Sequence, residues 1–422
     1  MPSVCLYFKV HQPYRVRRYS IFDIGSQTEY FSEPESGERR DNQAILKKVS
    51  RKCYDPTNAL LLKMLKKHPE FRLSFSLSGV FIDQLEQFAP ETLDSFKRLV
   101  ATGRVEILSE TFYHSLAFLK SEREFKDQIR LQNQQLRRVF GVKPKLFSNT
   151  EAAYNNYIGR VVSDLGYEGL LTEGADRILG WRSPNFLYHP PGLPKFALLL
   201  KNYRLSDDIA FRFSDRGWRD WPLDTDKFTK WIEAINGNGQ IVNLFMDFET
   251  FGEHQWADTG IFDFLEHLPT ALLKARDTNF VTPSEALKRY QPVAQLDIPD
   301  YVTWADTERD LTAWQENPMQ QTALDTIYNL ERAVRRSGSA EFLDTWRRLQ
   351  TSDHFYYMCT KWFADGDVHK YFNPYDSPYE AYISYMNVVT DFKQRLVKNA
   401  NSPRPKRPPS KKEAGSLMTN SK

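Results

Sequence analysis

The sequence predicts a parallel β/α barrel of seven or eight strands, followed by a helical region. Short apolar runs alternate with helix-period segments through the first two-thirds of the chain, which is typical of parallel β/α architecture. About seven such units precede residue 290, and helical periodicity dominates beyond it. An open, doubly wound sheet fits the same alternation, because the pattern does not show closure.

The predicted strands are apolar runs of five or six residues at most. They cover residues 4–8, 72–77, 104–108, 145–149, 169–172, 209–213 and 241–246. Helical spacing of apolar residues predicts helices at 58–67, 91–101, 123–140 and 154–165. Gly103, Gly141 and Gly166 follow three of these helices, at the position of C-cap residues.

Three regions follow from this pattern. We expect a barrel over residues 1–290 and a helical region over 291–398 that packs on it. Amphipathic helices are predicted there at 319–336, 340–351 and 379–398, after a proline-containing connector at 291–300. The proline- and lysine-rich stretch at 399–422 has too few apolar residues to offset its ordering entropy, and is predicted to be a disordered basic tail.

Composition excludes several classes of protein. The 422 residues can bury a large core, and mean hydropathy is −0.57, with no apolar run that approaches the roughly 18 residues of a membrane helix. The net charge of +3 comes from the tail, so the first 400 residues are slightly acidic, which argues against nucleic-acid binding. Three scattered cysteines predict no disulfide framework, and the N-terminus lacks a signal-peptide pattern. The expected location is the cytoplasm, and the oligomeric state is left open.

Ionisable side chains follow four of the predicted strands. In chain order they are His11, Glu110, His114, Glu151, Asp247, Glu249 and His254. The C-terminal ends of parallel strands meet at one rim of a barrel, where catalytic groups lie. We therefore expect these side chains to share one site.

Two carboxylates from different strand ends are what glycoside hydrolysis requires. Glu151 and Asp247 are far apart in the chain, so only the fold can bring them together. Burial of Asp247 at the end of an apolar strand raises its pKa, which suits a general acid. Glu249 points to the same side if the strand continues, and its charge raises one of the two pKa values further. The residues leave open whether the carboxylates are spaced for retention or for inversion.

Each residue also has a structural interpretation. Glu151 can be a first-turn acid of the next helix, Glu110 and His114 can pair with each other, and His11 can be a hydrogen-bonded structural histidine. Tryptophan side chains can stack against sugars, but they also commonly pack in the protein core. The candidates are Trp181, Trp218, Trp221, Trp256, Trp304 and Trp314.

Other chemistries leave few traces. The histidines include no H-x3-H or HExxH pair, and the chain has no Cys-x-x-Cys, P-loop, GxGxxG or G-x-S-x-G motif. We expect neither a metal nor a cofactor.

Five segments in order resemble glycoside hydrolase family 57. They are HQP at 11–13, FSNTEAAYNN around Glu151, MDFETFGEHQ around Asp247, WADTERDLTAWQENPMQQ at 304–321 and TSDHFYYM at 351–358. The resemblance extends from about residue 3 to residue 385 and leaves only the tail outside.

The resemblance implies a (β/α)7 barrel with a C-terminal helical region, and retaining action on α-glucans without a metal. Glu151 falls at the family's nucleophile, Asp247 at its acid/base, and His11 at a histidine that lines the sugar site. Motifs that help to close the cleft contain Trp304, Trp314 and Asp353. The family includes α-amylases, 4-α-glucanotransferases, branching enzymes and α-galactosidases, and the short chain looks most like the compact α-amylases.

Three alternatives stay open. A transferase or branching enzyme of the same family differs in whether a sugar hydroxyl, rather than water, accepts the glycosyl group. A polysaccharide deacetylase uses a similar barrel with a metal held by an Asp-His-His set. A non-catalytic glycan-binding protein is the third.

Overall fold

The structure, a computed structural model, describes residues 2–275, 278–361, 369 and 373–401. The strands of this part of the chain are β1 (Ser3–Val10), β2 (Leu73–Leu77), β3 (Val105–Ile107), β4 (Leu146–Ser148), β5 (Gly169–Glu173), β6 (Tyr188–His189), β7 (Ala197–Lys201), β8 (Ile241–Asp247), β9 (Asn279–Phe280) and β10 (Ala294–Gln295). Its α-helices are Asn42–Val49, Asp55–Lys67, Gly79–Phe88, Pro90–Val100, Ala117–Lys120, Glu122–Phe140, Asn156–Asp164, Asp176–Leu179, Tyr203–Ala210, Thr225–Glu233, Ile261–Lys274, Pro283–Arg289, Thr312–Gln315, Pro318–Asn329, Glu331–Ser337, Ala340–Arg348, Ser352–Tyr356 and Pro378–Asn401.

Seven parallel strands form a closed ring in the order β1, β2, β3, β4, β5, β7, β8. One hydrogen-bonded sheet contains β3, β2, β1 and β8, and a second contains β7, β5 and β4. Ser109, just after β3, joins the sheets on one side, where its carbonyl accepts from the Ser148 N–H at 2.9 Å. Asn202, just after β7, joins them on the other side by donating to the Asn243 carbonyl at 2.9 Å. The predicted (β/α)7 barrel is confirmed, and the hydrogen bonds at both seams exclude the open sheet.

The inside of the ring is filled by side chains from every second strand position, because strand side chains alternate between faces. These buried residues include Cys5, Tyr7, Leu146, Leu171, Leu199 and Phe245. The barrel is thus a packed core, and any site must lie at its ends.

One predicted strand is wrong. Residues 209 and 210 of the predicted run at 209–213 belong instead to the helix Tyr203–Ala210, and the ring strand is β7, which the sequence prediction missed. The Asn202 side chain accepts a hydrogen bond from the Leu205 N–H and caps the start of this helix. The helix ends at Ala210, inside the apolar run that was predicted as a strand. The leucine run in β7 lacks the β-branched residues that mark strands, which explains the omission.

Helix Glu122–Phe140 shows how local sequence fixes an element. Ser121 caps its start, and Gly141 ends it in the left-handed region at φ 69°, which a residue with a Cβ adopts only at a cost. Phe125 and Ile129, four residues apart, bury the face that packs on the barrel.

The helical region packs on the barrel through one shared hydrophobic core, which includes Phe147 of β4 and Trp346 of helix Ala340–Arg348. A buried ion cluster ties the two together, since Glu124 pairs with Arg335 and with Arg347 at 2.7 Å. The helix predicted at 319–336 is two helices that meet at Leu330.

The connector that precedes these helices lies on the barrel, where β10 pairs with β6. The last helix extends to Asn401, and the rest of the predicted tail, 402–422, lies outside the described residues. Among the described helices, none is both long and apolar enough to cross a bilayer.

Candidate active site

A cavity opens at the C-terminal ends of the ring strands, as expected for a β/α barrel. Most of the predicted site residues line it: Glu151, Asp247, His11, His114, Glu249, His254, Trp304, Trp314 and Asp353. Glu110 is fully buried behind this wall. Trp256 is 58% exposed, lies outside the cavity lining and stacks beneath the Lys52 ammonium.

Glu151 is held in a rare backbone conformation. It lies in the turn after β4 with φ 57°, in the left-handed region that costs a non-glycine residue free energy. Three donors contact its carboxylate: Oε1 accepts from His114 Nε2 at 3.2 Å and from Ser352 Oγ at 3.0 Å, and Oε2 accepts from Trp304 Nε1 at 2.9 Å. Burial alone would raise the pKa of Glu151, but the hydrogen bond and charge of His114 outweigh it, so the pKa lies below its ordinary value.

His114 is a buried cation between two carboxylates. Its Nδ1 donates to Glu110 at 3.1 Å and its Nε2 to Glu151. Burial and Lys9 lower its pKa, but the two carboxylates raise it to about 9. Glu110 also pairs with Lys9 at 3.0 Å, and these two cations, opposing burial, lower its pKa to about 2. The row Lys9, Glu110, His114, Glu151 therefore alternates in charge.

Asp247 has the opposite electrostatics. It ends β8 beside Lys9 of β1 in the register of the sheet. Burial and the negative charge of Glu151 raise its pKa to about 6, against the weaker effects of Lys201, His114 and Lys9. Within the described part of the chain, no side chain donates a hydrogen bond to its carboxyl. At neutral pH or a little below, Asp247 can hold a proton while Glu151 is ionised.

Glu249 lies one turn beyond Asp247, because β8 ends at Asp247 and a 3-10 turn follows. Its carboxyl accepts hydrogen bonds from the Tyr54 hydroxyl and from Gln12. Burial and the Asp247 charge raise its pKa to about 8, so Glu249 is neutral when Asp247 titrates. The expectation that the neighbouring like charge raises one of the two pKa values agrees with the raised pKa of Glu249, whereas the charge that raises the pKa of Asp247 is that of Glu151.

His11, which directly follows β1, and Asp353 of helix Ser352–Tyr356 form another part of the cavity wall. The His11 ring stacks on His114 at 4.0 Å between centroids, accepts from Ser78 at Nδ1 and donates from Nε2 to Asp353 at 3.1 Å. Burial and the neighbouring His114 charge lower the pKa of His11 to about 4, so the ring is neutral. Although burial opposes it, His11 lowers the pKa of Asp353, which remains ionised.

His11, His114 and Asp353 also bring one potential metal ligand each within 4.8 Å of one another. A metal needs a free imidazole lone pair, and His114 has none, since both of its nitrogens donate to carboxylates. The cluster does not fit a metal centre in this protonation state.

Aromatic rings complete the wall. Trp314 is almost fully buried against Tyr356, and His254 lines the cavity, where desolvation lowers its pKa to about 4. Phe211, which sequence reasoning missed, lines the cavity with 57% of its surface exposed.

Two lysines were missed as well. Lys9 is a charge inside an apolar strand, a signal that was available in the sequence because buried lysines are rare without a partner. Lys201 ends β7, so the missed strand concealed it.

The family model of glycosyl hydrolase family 57 matches residues 5–299 of the chain. The chain belongs to glycosyl hydrolase family 57. It is 40% identical over 396 residues to a Methanocaldococcus jannaschii protein named "Putative alpha-amylase", covering 91% of this chain and 83% of that protein. It is 24% identical over 291 residues to α-amylase 1 of Dictyoglomus thermophilum, covering 66% of this chain but only 40% of that longer protein. This chain is thus a glycoside hydrolase of family 57.

The fold of this family 57 enzyme matches solved structures. The crystal structure of a family 57 branching enzyme from Thermococcus kodakaraensis superposes with a TM-score of 0.66, covering 95% of this chain and 91% of that one. Their sequences are 12% identical, so the comparison supports the fold alone.

Proposed function

We propose that this family 57 enzyme hydrolyses α-1,4 bonds of α-glucans with retention of configuration, with Glu151 as nucleophile and Asp247 as acid/base. The observation that carries the proposal is the opposite ionisation of two carboxyls in one cavity. The pKa of Glu151 is lowered, whereas that of Asp247 is raised to about 6. A retaining glycosidase needs one ionised and one protonated carboxyl in its resting state. The α-amylase names of the relatives support α-glucans as the substrate class.

In the first step, a Glu151 oxygen attacks the anomeric carbon of the bound sugar. The bond from that carbon to the glycosidic oxygen breaks, and the Asp247 proton passes to the leaving oxygen. A β-linked glycosyl-enzyme results. In the second step, ionised Asp247 takes a proton from water, the water oxygen attacks the anomeric carbon, and Glu151 leaves as a carboxylate.

The surroundings of each carboxyl suit its role. Three donors hold Glu151 in one orientation and stabilise its negative charge as it is released in the second step. Asp247, which no side-chain donor of the described residues contacts, is free to exchange its proton with the glycosidic oxygen and then with water. The rings of Trp304 and Phe211, which are partly exposed in the cavity, offer faces on which glucose units can stack.

The test is product analysis after incubation of the purified protein with maltoheptaose in the presence of a chelator. We expect shorter maltooligosaccharides, and no products from Glu151→Ala. Glu168→Ala is the matched control, because Glu168 is half-exposed and its ion-pair partner is the surface residue Lys145. Products longer than the substrate would identify a glucanotransferase instead, and new branch points a branching enzyme. No cleavage of maltoheptaose, together with chelator-sensitive release of acetate from an acetylated polysaccharide, would favour the metal-dependent deacetylase class, and binding without turnover a glycan-binding protein.

A further inference from the structure

Four charged side chains form a buried cluster beside the cavity, here called the four-charge cluster: Glu173, Lys201, Asp207 and Arg309. Lys201 Nζ lies 2.9 Å from Asp207 Oδ1, and the Arg309 guanidinium contacts Glu173 Oε2 at 3.2 Å and Asp207 Oδ2 at 2.9 Å. The two acids and two bases balance, and all four are buried or nearly so. Buried charges cost desolvation energy, so burial of this cluster is by itself weak evidence for a role in stability, and its other contacts indicate what it does.

Arg309 connects this cluster to the loop that carries Trp304. Its Nη1 donates to the Trp304 carbonyl at 2.7 Å, and its own carbonyl accepts from the Thr303 N–H at 3.0 Å. Arg309 and Asp306 both have left-handed φ angles, 54° and 53°. Such strained positions persist only where surrounding contacts fix them. The guanidinium contacts supply these for Arg309, and ion pairs with Lys361 and His369 supply them for Asp306.

Trp304 in turn contacts Glu151 twice. Its backbone N–H donates to the Glu151 carbonyl at 3.3 Å, and its indole Nε1 donates to the Glu151 carboxylate at 2.9 Å. Lys201, a member of the same cluster, lies over the Trp304 ring at 5.6 Å from its centroid. A continuous set of contacts thus leads from Arg309 through Trp304 to the Glu151 carboxylate.

We propose that Arg309 is a positioning residue for catalysis: by fixing the Trp304 loop onto the four-charge cluster, it keeps the indole N–H on the Glu151 carboxylate. This inference rests on the proposed role of Glu151. The forked guanidinium suits the task because it reaches a backbone carbonyl and two carboxylates at once, which a lysine ammonium on a flexible stem does not reproduce.

The test compares Arg309→Met and Arg309→Lys with the control Arg204→Met. Arg204 stacks on the same Tyr203 ring as Arg309, but it is 72% exposed and its ion-pair partner is surface Asp176. For Arg309→Met we expect kcat on maltoheptaose to fall about tenfold or more while KM changes less than about threefold, since a misplaced nucleophile weakens transition-state interactions selectively. The acidic limb of the pH profile should move to higher pH, because Glu151 loses the indole hydrogen bond that stabilises its ionised form and its pKa therefore rises. Arg309→Lys should keep the charge balance but not restore kcat, and Arg204→Met should match the wild type.

A readout that needs no turnover separates this inference from the proposed function. In protein labelled with ¹⁵N-tryptophan, the Trp304 indole resonance, assigned with Trp304→Phe, should lose hydrogen-exchange protection in Arg309→Met but not in Arg204→Met. If the wild type does not cleave maltoheptaose, the proposed function fails. The exchange of the Trp304 indole N–H still shows whether Arg309 holds the Trp304 loop in place. An unchanged indole resonance with unchanged kcat, full rescue by lysine, or an equal effect of Arg204→Met would overturn the positioning role.

Discussion

The raised pKa of Asp247 predicts that activity is lost near pH 6, a higher pH than an aspartate with an ordinary pKa would give. The productive form has Glu151 ionised and Asp247 protonated. With Asp247 at a pKa of about 6, roughly nine-tenths of it is protonated at pH 5, half at pH 6 and about 1% at pH 8. We therefore expect kcat/KM on maltoheptaose to fall about a hundredfold between pH 5 and pH 8, with a basic limb centred near pH 6.

The groups that set this limb face Asp247 from several elements. Glu151 raises its pKa, and Lys201, His114 and Lys9 lower it. The sign follows from the acid role: turnover is present below the raised pKa of Asp247 and is lost as pH rises through it. If Asp247 had the ordinary aspartate pKa near 3.9, less than about 1% of the enzyme would be in the productive form at pH 6. A roughly hundredfold fall in kcat/KM already complete at pH 6 would therefore refute the reasoning.

The assay is the initial rate of maltoheptaose cleavage at constant ionic strength across pH 4–9. Asp247→Asn should remove the basic limb when the substrate is α-glucosyl fluoride, whose leaving group needs no proton. Glu249→Gln should leave the limb near pH 6, because Glu249 is already neutral there. A limb that persists in Asp247→Asn would assign the titration to another group.

Three further outcomes follow from the contacts. Trp304→Phe removes a donor from the proposed nucleophile, so kcat should fall about 10- to 100-fold, as expected for a hydrogen bond to a charged group, and an unchanged kcat would contradict it. Phe211→Ala should weaken binding of long maltooligosaccharides, measured by calorimetry, whereas Phe22→Ala, a 90% exposed phenylalanine outside the cavity, should not. Glu124→Ala leaves the buried Arg347 without its ion-pair partner, although Arg335 keeps Glu331 and Asp127, and it should lower the free energy of unfolding in urea by about 3–5 kcal/mol. The exposed Glu122→Ala should cost less than about 1 kcal/mol, and equal losses would argue against the buried cluster.

The sequence located much of the site because of a simple topological rule. Glu151, Asp247 and His114 each follow a strand of a parallel barrel, and the ends of such strands meet at one rim. The direction of the Asp247 pKa was predictable too, since an acid at the end of an apolar strand is desolvated.

Other features depend on contacts that no local pattern encodes. Lys201 was hidden because a leucine run without β-branched residues was not taken for a strand. The left-handed turn at Glu151 and the loop that brings Trp304 to it depend on residues more than 150 positions away. The Glu151 charge that raises the pKa of Asp247 could not be read from the sequence, because only the fold brings these two residues together.

The central claim is that Glu151 forms the covalent glycosyl-enzyme. The most direct measurement is mass spectrometry of the protein after reaction with 5-fluoro-α-D-glucosyl fluoride, followed by peptide mapping. The account predicts one glucosyl adduct, located on the peptide that contains Glu151 and absent from Glu151→Ala. An adduct on Asp247, Glu249 or any other carboxyl of the wild type would contradict it.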